Sequence, residues 1–313
     1  METEILGAQA HRPVMVGEAL AALAPRPGGV YVDATLGAGG HAEQILLNSG
    51  PDGRLFGIDR DAASLARATA RLARFGERFV GIHGCFGDIA ALLAGRGIGP
   101  GQVHGLLADL GVSSMQIDQP ARGFSFQYAG PIDMRMDVST GETALELIER
   151  IDESRLVDIL REYGEERHAR RIAGALKRAA VAGELTDTLS LAEVVLRASP
   201  TRERHKHPAT RTFQALRIAV NDELRQIHAL LSAAPQLLAP GGRLAVISFH
   251  SLEDRLVKQH LQRGLAWEPV HRRSLTPDEA ELAENPRSRS ARLRAASLRP
   301  ELAAELGSQE ARP

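Results

Sequence analysis

A short strand, a glycine-rich turn and the start of a helix follow one another in Val30-Tyr-Val-Asp-Ala-Thr-Leu-Gly-Ala-Gly-Gly-His41. β-Branched and aromatic residues favour the strand, and glycine allows the sharp turn after it. A helix that begins at such a turn presents free N–H groups to a ligand. The spacing Gly37-x-Gly39-x-x-Ala42 fits a nucleotide-binding loop, so we expect a cofactor site here.

Similar apolar runs recur along the chain at intervals that leave room for one helix between strands. The predicted strands are Val30–Asp33, Leu55–Asp59, Phe79–His83, Val103–Leu110 and Arg243–Phe249. A helix over about Asn221–Leu238, ended by Pro240-Gly-Gly, precedes the last of them. This alternation predicts an α/β fold with a parallel sheet, whose ligands lie beyond the carboxyl ends of the strands.

Between strands four and five the strand pattern is absent, and apolar residues recur at helical spacing. Two capping-box patterns, Ser139 with Glu142 and Ser190 with Glu193, predict helix starts. We therefore expect an all-helical insert over residues 116–212 that recognises the substrate. Residues 1–115 and 213–313 are then expected to form the cofactor-binding core.

Composition excludes several classes of protein. The 313 residues are 43% hydrophobic and 25% charged, as in ordinary globular domains. A lone cysteine, Cys85, excludes an intramolecular disulfide and a cysteine-rich zinc site, and we expect no metal. No apolar run is long enough for a membrane span, and the first residues do not resemble a signal peptide. A cytoplasmic protein without a membrane partner is expected.

A carboxylate at the end of the second strand, Asp59, follows Gly37 at the distance where it can accept the two hydroxyls of a ribose. The alternative is that Asp59 caps the next helix. NAD and S-adenosylmethionine both fit this pattern. Asp33 favours the latter, because a carboxylate suits a ligand with an ammonium and a sulfonium group better than a pyrophosphate.

Polar side chains cluster after the fourth strand, in Asp109-Leu-Gly-Val-Ser-Ser-Met-Gln116, and continue into Arg122–Phe126 and Asp133–Asp137. With these motifs the sequence resembles the bacterial 16S ribosomal RNA (cytosine-N4)-methyltransferase family, also called RsmH or MraW. The resemblance runs nearly end to end and includes Pro208–Ile218 and Ser248–Arg255. The sequence departs from the family's usual residues at Met115 and Cys85.

The resemblance implies a Rossmann-like class I methyltransferase core with a helical insert, the cofactor S-adenosylmethionine, and methylation of one cytidine in the decoding (P-site) region of 16S rRNA in the small ribosomal subunit. The cofactor contacts that it implies are Gly39, Gly40, His41, Asp59, Phe86, Asp109 and Gln116.

The reaction expected from this resemblance is in-line displacement by the exocyclic amine. The candidate acceptors for its N–H are Asp109, Ser113 and Ser114, although both serines are equally suited to hydrogen bonds within the loop. His250 and Asn221 are candidates for the wall of the base pocket, with helix capping as the alternative. An NAD-dependent oxidoreductase and a non-catalytic ribosome assembly factor stay open as other functions.

The net charge of −1 conceals an uneven distribution of charge. Acidic residues dominate 142–166, whereas cationic ones dominate 197–217 and 285–300. Only three of the 38 cations are lysines; codon bias and phosphate recognition both explain this arginine excess, and a solvated surface is the alternative to RNA contact. The predicted RNA contacts are Arg202, Arg204, Lys206, Arg211, Arg287 and Arg289.

Overall fold

The computed structural model describes residues 13–200, 207–263 and 266–301. Within them the strands are β1 (Val30–Asp33), β2 (Arg54–Asp59), β3 (Phe79–His83), β4 (Val103–Asp109), β5 (Leu238–Ser248), β6 (Trp267–Pro269) and β7 (Arg292–Leu298). The helices are α1 (Val16–Leu23), α2 (Gly40–Asn48), α3 (Ala62–Leu72), α4 (Ile89–Ala94), α5 (Ser114–Ile117), α6 (Ala144–Arg150), α7 (Glu153–Glu162), α8 (Ala169–Val181), α9 (Thr188–Ala198), α10 (Ala209–Asn221), α11 (Glu223–Leu237), α12 (Ser251–Arg263) and α13 (Glu279–Glu284).

The described strands form one sheet in the order β3-β2-β1-β4-β5-β7-β6. Strands β1 to β5 are parallel, and β7 is antiparallel to both of its neighbours. Because β4 pairs directly with β5, the helical segment is an insertion between adjacent strands, as predicted. The order reverses between β1 and β4, which is where ligands bind in open α/β sheets. The Rossmann-like, parallel-rich core is confirmed.

Alternate residues of the central strands enter two apolar layers, one on each face of the sheet. Val32 and Leu106 belong to the layer covered by α4, α11 and α12. Tyr31 and Leu107 belong to the layer covered by α1, α2 and α3. Burial of each such side chain stabilises the fold by about 1.5 to 3 kcal/mol. The strands are therefore fixed from both faces, and their carboxyl ends stay open for a site.

Helices α6 to α10 enclose a third apolar cluster of their own. The predicted boundary between residues 212 and 213 falls inside α10, and Phe213 and Leu216 from this helix pack in that cluster. We propose that the helical unit extends to Asn221. No helix within the described ranges has the length and apolar character needed to cross a membrane.

Both predicted helix starts in the insert are wrong. Helix α6 begins one turn after Ser139, where Thr143 and Glu146 form the capping box. Helix α9 begins one turn before the predicted cap at Ser190, because Asp187 accepts the N–H of Ser190 and Ser190 Oγ accepts that of Asp187. A serine can stand at the N-cap of a capping box or, as Ser190 does, three residues later. The spacing in the sequence therefore did not identify which of the two positions it takes.

The fifth strand is longer than the predicted Arg243–Phe249 and ends one residue earlier. It first pairs with β4 at Leu238, and residues 239–242 then bulge out with Gly241 at φ +74°. The preceding helix α11 (Glu223–Leu237) agrees with the predicted helix over about Asn221–Leu238. Asp222 at φ +53° separates α10 from α11, because aspartate tolerates the left-handed region better than most residues.

Candidate active site

A cavity of about 360 Å³ opens at the carboxyl ends of β1 to β4. Its wall combines the loops after these strands with residues of α10, the end of β5 and the segment before β7. The predicted site residues that line it are Gly40, His41, Asp59, Phe86, Asp109, Ser113, Ser114, Gln116 and Arg287. The fold therefore brings the candidate cofactor contacts other than Gly39 and the candidate amine acceptors into one space.

The glycine loop after β1 is shaped by close backbone approaches. Gly37 and Gly39 have φ of +53° and +79°, which side chains rarely adopt. A Cβ on Gly40 would lie 2.1 Å from Pro13 Cγ, so only glycine fits there. Gly39 does not line the cavity, and a Cβ on it would face Leu72. Contact of the cofactor with Gly39 stays a prediction.

Asp59 is a structural acceptor for the same loop. Its Oδ2 accepts the Gly37 N–H at 2.7 Å and its Oδ1 accepts the Asp61 N–H at 2.8 Å. Asp61 caps α3, so the alternative role of Asp59 as the helix cap is excluded. Burial raises the pKa of Asp59 to about 6, although its two backbone hydrogen bonds oppose this. Asp59 is placed to accept hydroxyl groups from a molecule in the cavity.

Asp33 lies behind the wall of the cavity rather than in it. Only 1% of its surface is exposed, and its Oδ1 accepts the Thr35 N–H at 3.1 Å. Burial raises its pKa to about 6, partly opposed by His41. The carboxyl of Asp33 therefore acts on a bound cation only through its electrostatic field.

Asp109, at the end of β4, offers a buried acceptor. Its backbone N–H donates to Thr35 Oγ1 at 2.6 Å, and its Oδ2 lies 3.6 Å from His41 Nε2. Its Oδ1 is buried and has no hydrogen-bond partner in the described part of the chain. Burial lowers the pKa of His41, but Asp109 and Asp33 outweigh this and raise it overall. Asp109 Oδ1 is ready to accept an N–H from a ligand.

The loop after β4 is held by a capping box. Ser113 Oγ accepts the Gln116 N–H at 3.2 Å, and Gln116 Oε1 accepts the Ser113 N–H at 3.0 Å. Gln116 Nε2 donates to Asp61 Oδ2 at 2.9 Å. The loop-bonding alternative therefore describes Ser113, and Gln116 uses its amide within the protein. Ser114 lines the cavity without a side-chain hydrogen bond among the described residues.

A buried ion pair between Asp61 and Arg122 supports this loop, and sequence reasoning did not assign it. Arg122 Nη1 lies 2.7 Å from Asp61 Oδ2, while Nη2 donates to the carbonyls of Arg135 and Met136. Burial raises the pKa of Asp61, but Arg122 and Gln116 outweigh this and lower it. The motifs at 122–126 and 133–137 were the available signal, since each supplies one side of this network.

Neither candidate for the base pocket lines the cavity. Asn221 is 2% exposed and bonds the backbone of Met134 and Met136, so it holds a loop in place. His250 precedes α12, and its Nε2 lies 3.1 Å from Glu253 Oε1. The capping alternative is favoured for His250, whose Nδ1 accepts the Glu253 N–H at 3.5 Å, whereas Asn221 braces a loop and Asp222 holds the cap position next to it. The cavity is lined instead by Arg217, which sequence reasoning did not assign.

The predicted RNA contacts have different surroundings. Arg211 is half-buried in the first turn of α10, and Arg289 is exposed. Arg287 pairs with Asp118 and donates to the Ser114 carbonyl at the rim of the cavity. Three further predicted contacts, Arg202, Arg204 and Lys206, lie outside the described residues.

Comparisons with known proteins agree with this geometry. The family model of the MraW methylase family matches residues 8–299. The chain belongs to this family. It is 58% identical to ribosomal RNA small subunit methyltransferase H of Sorangium cellulosum, over 91% of this chain and 90% of that relative. The identity to the Halorhodospira halophila protein of the same name is 52%, over 92% and 94%. A member of this family is a methyltransferase, and its cofactor is S-adenosylmethionine rather than NAD.

The residues present fit this cofactor. The cavity lies at the reversal of the strand order and has a glycine cradle on one side. Asp59 supplies acceptors for hydroxyl groups, Phe86 supplies an aromatic wall, and Asp109 Oδ1 is an unpartnered buried acceptor. We expect the glycine loop and Asp59 to hold the nucleoside end and Asp109 to face the reacting end.

Proposed function

We propose that this chain methylates the exocyclic N4 amine of one cytidine in the decoding (P-site) region of 16S rRNA, in the small ribosomal subunit of the cytoplasm. The observation that carries this proposal is the unpartnered buried Oδ1 of Asp109, which shares one cavity with the candidate cofactor residues. The names of the curated relatives support small-subunit rRNA as the substrate.

The chemical task of the protein is to make a weak nucleophile react. The lone pair of the cytosine amine is conjugated with the ring, so an acceptor that holds one N–H helps the nitrogen to become pyramidal. Asp109 Oδ1 is the acceptor in this proposal, with the Ser114 hydroxyl beside it in the cavity wall. Ser113 keeps its role as the cap of α5.

S-adenosylmethionine, when bound, supplies an electrophilic methyl group on a sulfonium. The chain orients the amine in line with that methyl, and orientation of this kind lowers barriers by as much as several kcal/mol. The amine proton becomes acidic as its nitrogen is alkylated, so a carboxylate such as Asp109 suffices as the proton acceptor.

The target base has to leave its stack to enter the cavity. The proposed phosphate contacts are Arg287 at the rim of the cavity, Arg289 and Arg211, together with Arg202, Arg204 and Lys206 outside the described residues. The pair between Arg287 and Asp118 is exposed, and such pairs contribute only about 0 to 1 kcal/mol, so a phosphate replaces Asp118 at little cost.

The salt dependence of binding to small subunits tests this surface. Replacing Arg287 and Arg289 by glutamine is expected to reduce the slope of log K against log salt by about 2. Arg225→Gln is the control, because Arg225 is also exposed and also pairs with an aspartate, Asp222, and neither residue lines the cavity. An unchanged slope in the double variant would identify this surface as merely solvated.

The proposed activity is tested with small ribosomal subunits and methyl-labelled S-adenosylmethionine, followed by mass spectrometry of the digested RNA. Label on the N4 atom of a single cytidine is the expected result. Label on another nucleoside or on protein rejects the proposal. Subunit binding without any label would instead support the non-catalytic assembly factor.

A further inference from the structure

Arg217 is a cavity-lining cation held in a fixed position. It lies on α10 of the helical unit, and 16% of its side chain is exposed. Its Nε donates to Glu223 Oε1 at 2.7 Å and its Nη2 to Glu223 Oε2 at 2.8 Å. Such a two-point pair fixes the plane of the guanidinium. Arg217 therefore presents its remaining donors in one direction before any ligand binds.

The charge of Arg217 is already balanced by neighbouring carboxylates. Burial lowers the pKa of Arg217, but Glu223 and Glu253 outweigh this and raise it, so the guanidinium stays charged. The side chains of Glu223 and Glu253 are 6% and 0% exposed. Two buried carboxylates around one cation disfavour a phosphate, whereas a neutral carbonyl accepts a hydrogen bond there without charge repulsion.

One donor group of Arg217 is left for a ligand. The bonds to Glu223 use Nε and Nη2, so within the described ranges Nη1 is the nitrogen of this guanidinium without a hydrogen bond. Nearby, Glu253 Oε2 accepts the Phe249 N–H at 2.8 Å. The Phe249 ring in turn packs 3.7 Å from the position of a Cβ on Gly111, in the loop that follows Asp109. A chain of contacts thus joins Glu253, which faces Arg217, to the loop that bears the proposed amine acceptor, and Arg217, Phe249 and Asp109 line the same cavity.

We propose that Arg217 Nη1 donates a hydrogen bond to the O2 carbonyl of the target cytosine and selects cytosine over adenine; this rests on the proposed function. Both bases carry an amine beside a ring-nitrogen acceptor, so contacts to those two groups do not distinguish them. Cytosine then presents a carbonyl where adenine presents a C–H. A donor that a bound base covers with a C–H loses its contact with water and stays unpaired, which disfavours adenine.

The test compares two target bases in reconstituted small subunits whose 16S rRNA carries either cytidine or 2-thiocytidine at the target position. Sulfur is a weaker acceptor than oxygen, and the amine is unchanged. The variant is Arg217→Met combined with Glu223→Gln, which removes the cation together with its two-point partner, while Glu253 keeps its contacts with His250 and the Phe249 N–H. The matched control is Arg225→Met combined with Asp222→Asn, an exposed pair outside the cavity wall.

The wild type and the control are expected to prefer cytidine over 2-thiocytidine in kcat/KM by roughly 5- to 150-fold, the range for a specific base contact. In the Arg217 variant, kcat/KM for cytidine is expected to fall by that same factor, so that it equals kcat/KM for 2-thiocytidine. The affinity for S-adenosylhomocysteine is expected to stay unchanged. If this variant does not fold, Arg217→Lys supplies the measurement, with a reduced preference expected.

Two results overturn the inference: an absent preference in the wild type, or a variant that retains the full preference while losing activity equally on both bases. The second result would describe a merely structural ion pair. Failure of the proposed function is recognised separately, because the wild type would then leave cytidine itself unmethylated.

Discussion

Acidification from pH 7 to pH 5 should weaken the binding of S-adenosylhomocysteine to the free protein about tenfold, through Asp59. This carboxyl has its pKa raised to about 6 because it is buried. Its two oxygens already accept the N–H groups of Gly37 and Asp61, so further acceptance of ligand hydroxyls requires the ionised form. Below pH 6 the proton has to leave before the ligand binds.

The magnitude follows from the fraction of Asp59 that is ionised. With a pKa of about 6, the apparent dissociation constant grows by a factor of about 11 at pH 5 and about 1.1 at pH 7. The ratio corresponds to about 1.4 kcal/mol. Asp33 has a similar pKa but lies behind the cavity wall, so its contribution to the slope is expected to be the smaller one.

Calorimetric titration from pH 5 to pH 8 measures the effect. Asp59→Asn should bind about 10- to 100-fold more weakly at pH 7, because it loses charge-assisted hydrogen bonds, and its affinity should be nearly constant with pH. Asp52→Asn is the control, since Asp52 bonds the Gly28 N–H at the surface. A flat wild-type profile, or an Asp59→Asn variant with the full wild-type slope, would refute the reasoning.

Three further predictions concern catalysis and stability. Asp109→Asn should lower the methylation rate at least 100-fold with an unchanged circular dichroism melt, and near-normal turnover would remove Asp109 from the mechanism. Arg122→Met should lower the free energy of unfolding in urea by about 3 to 5 kcal/mol, because it leaves the buried Asp61 carboxylate without its counter-charge; a loss below 1 kcal/mol would contradict this. Because the pKa of Asp33 is raised to about 6 in the folded protein, the folded form holds a proton between about pH 4 and pH 6 that the unfolded chain has lost. The free energy of unfolding therefore falls as the pH rises through this window. Relative to Asp33→Asn, the wild type should lose about 2 to 3 kcal/mol of this free energy from pH 4 to pH 7.5.

Strand positions were predictable from the sequence because burial on both faces leaves a strong apolar signature. The predicted strand Val30–Asp33 is buried throughout and agrees with the structure residue by residue. Phe79–His83 also agrees residue by residue, although it lies at the edge of the sheet and only Ile82 is buried, so there the aromatic and β-branched residues were the signal. Helix starts were less predictable. Ser139 and Ser190 both match the sequence pattern of a capping box, but the boxes that form begin at Thr143 and Asp187. The cap depends on which residue adopts extended dihedrals, and packing of the helix decides that.

The candidate site also contains residues that the sequence predicted and residues that it did not. Asp59 and Asp109 were predictable because the ends of parallel strands meet at one edge of a sheet. The pair between Asp61 and Arg122 spans 61 positions, and no local pattern relates them. Arg217 belongs to a segment that the sequence marked as basic and as part of the family resemblance, without a role for this residue, and the structure pairs it with Glu223 in the cavity wall.

The sequence by itself determined the α/β core, the place of the helical insert and the family, because periodic burial and motif spacing are local along the chain. Only the tertiary structure decided how each charge is paired and how deeply it is buried. Arg217, Arg122 and Arg287 are all arginines in the sequence, yet one is balanced in the cavity, one is buried in a network and one forms an exposed pair at the rim. Charge has its effect through distance and dielectric, and both are set by packing between segments that are remote in sequence.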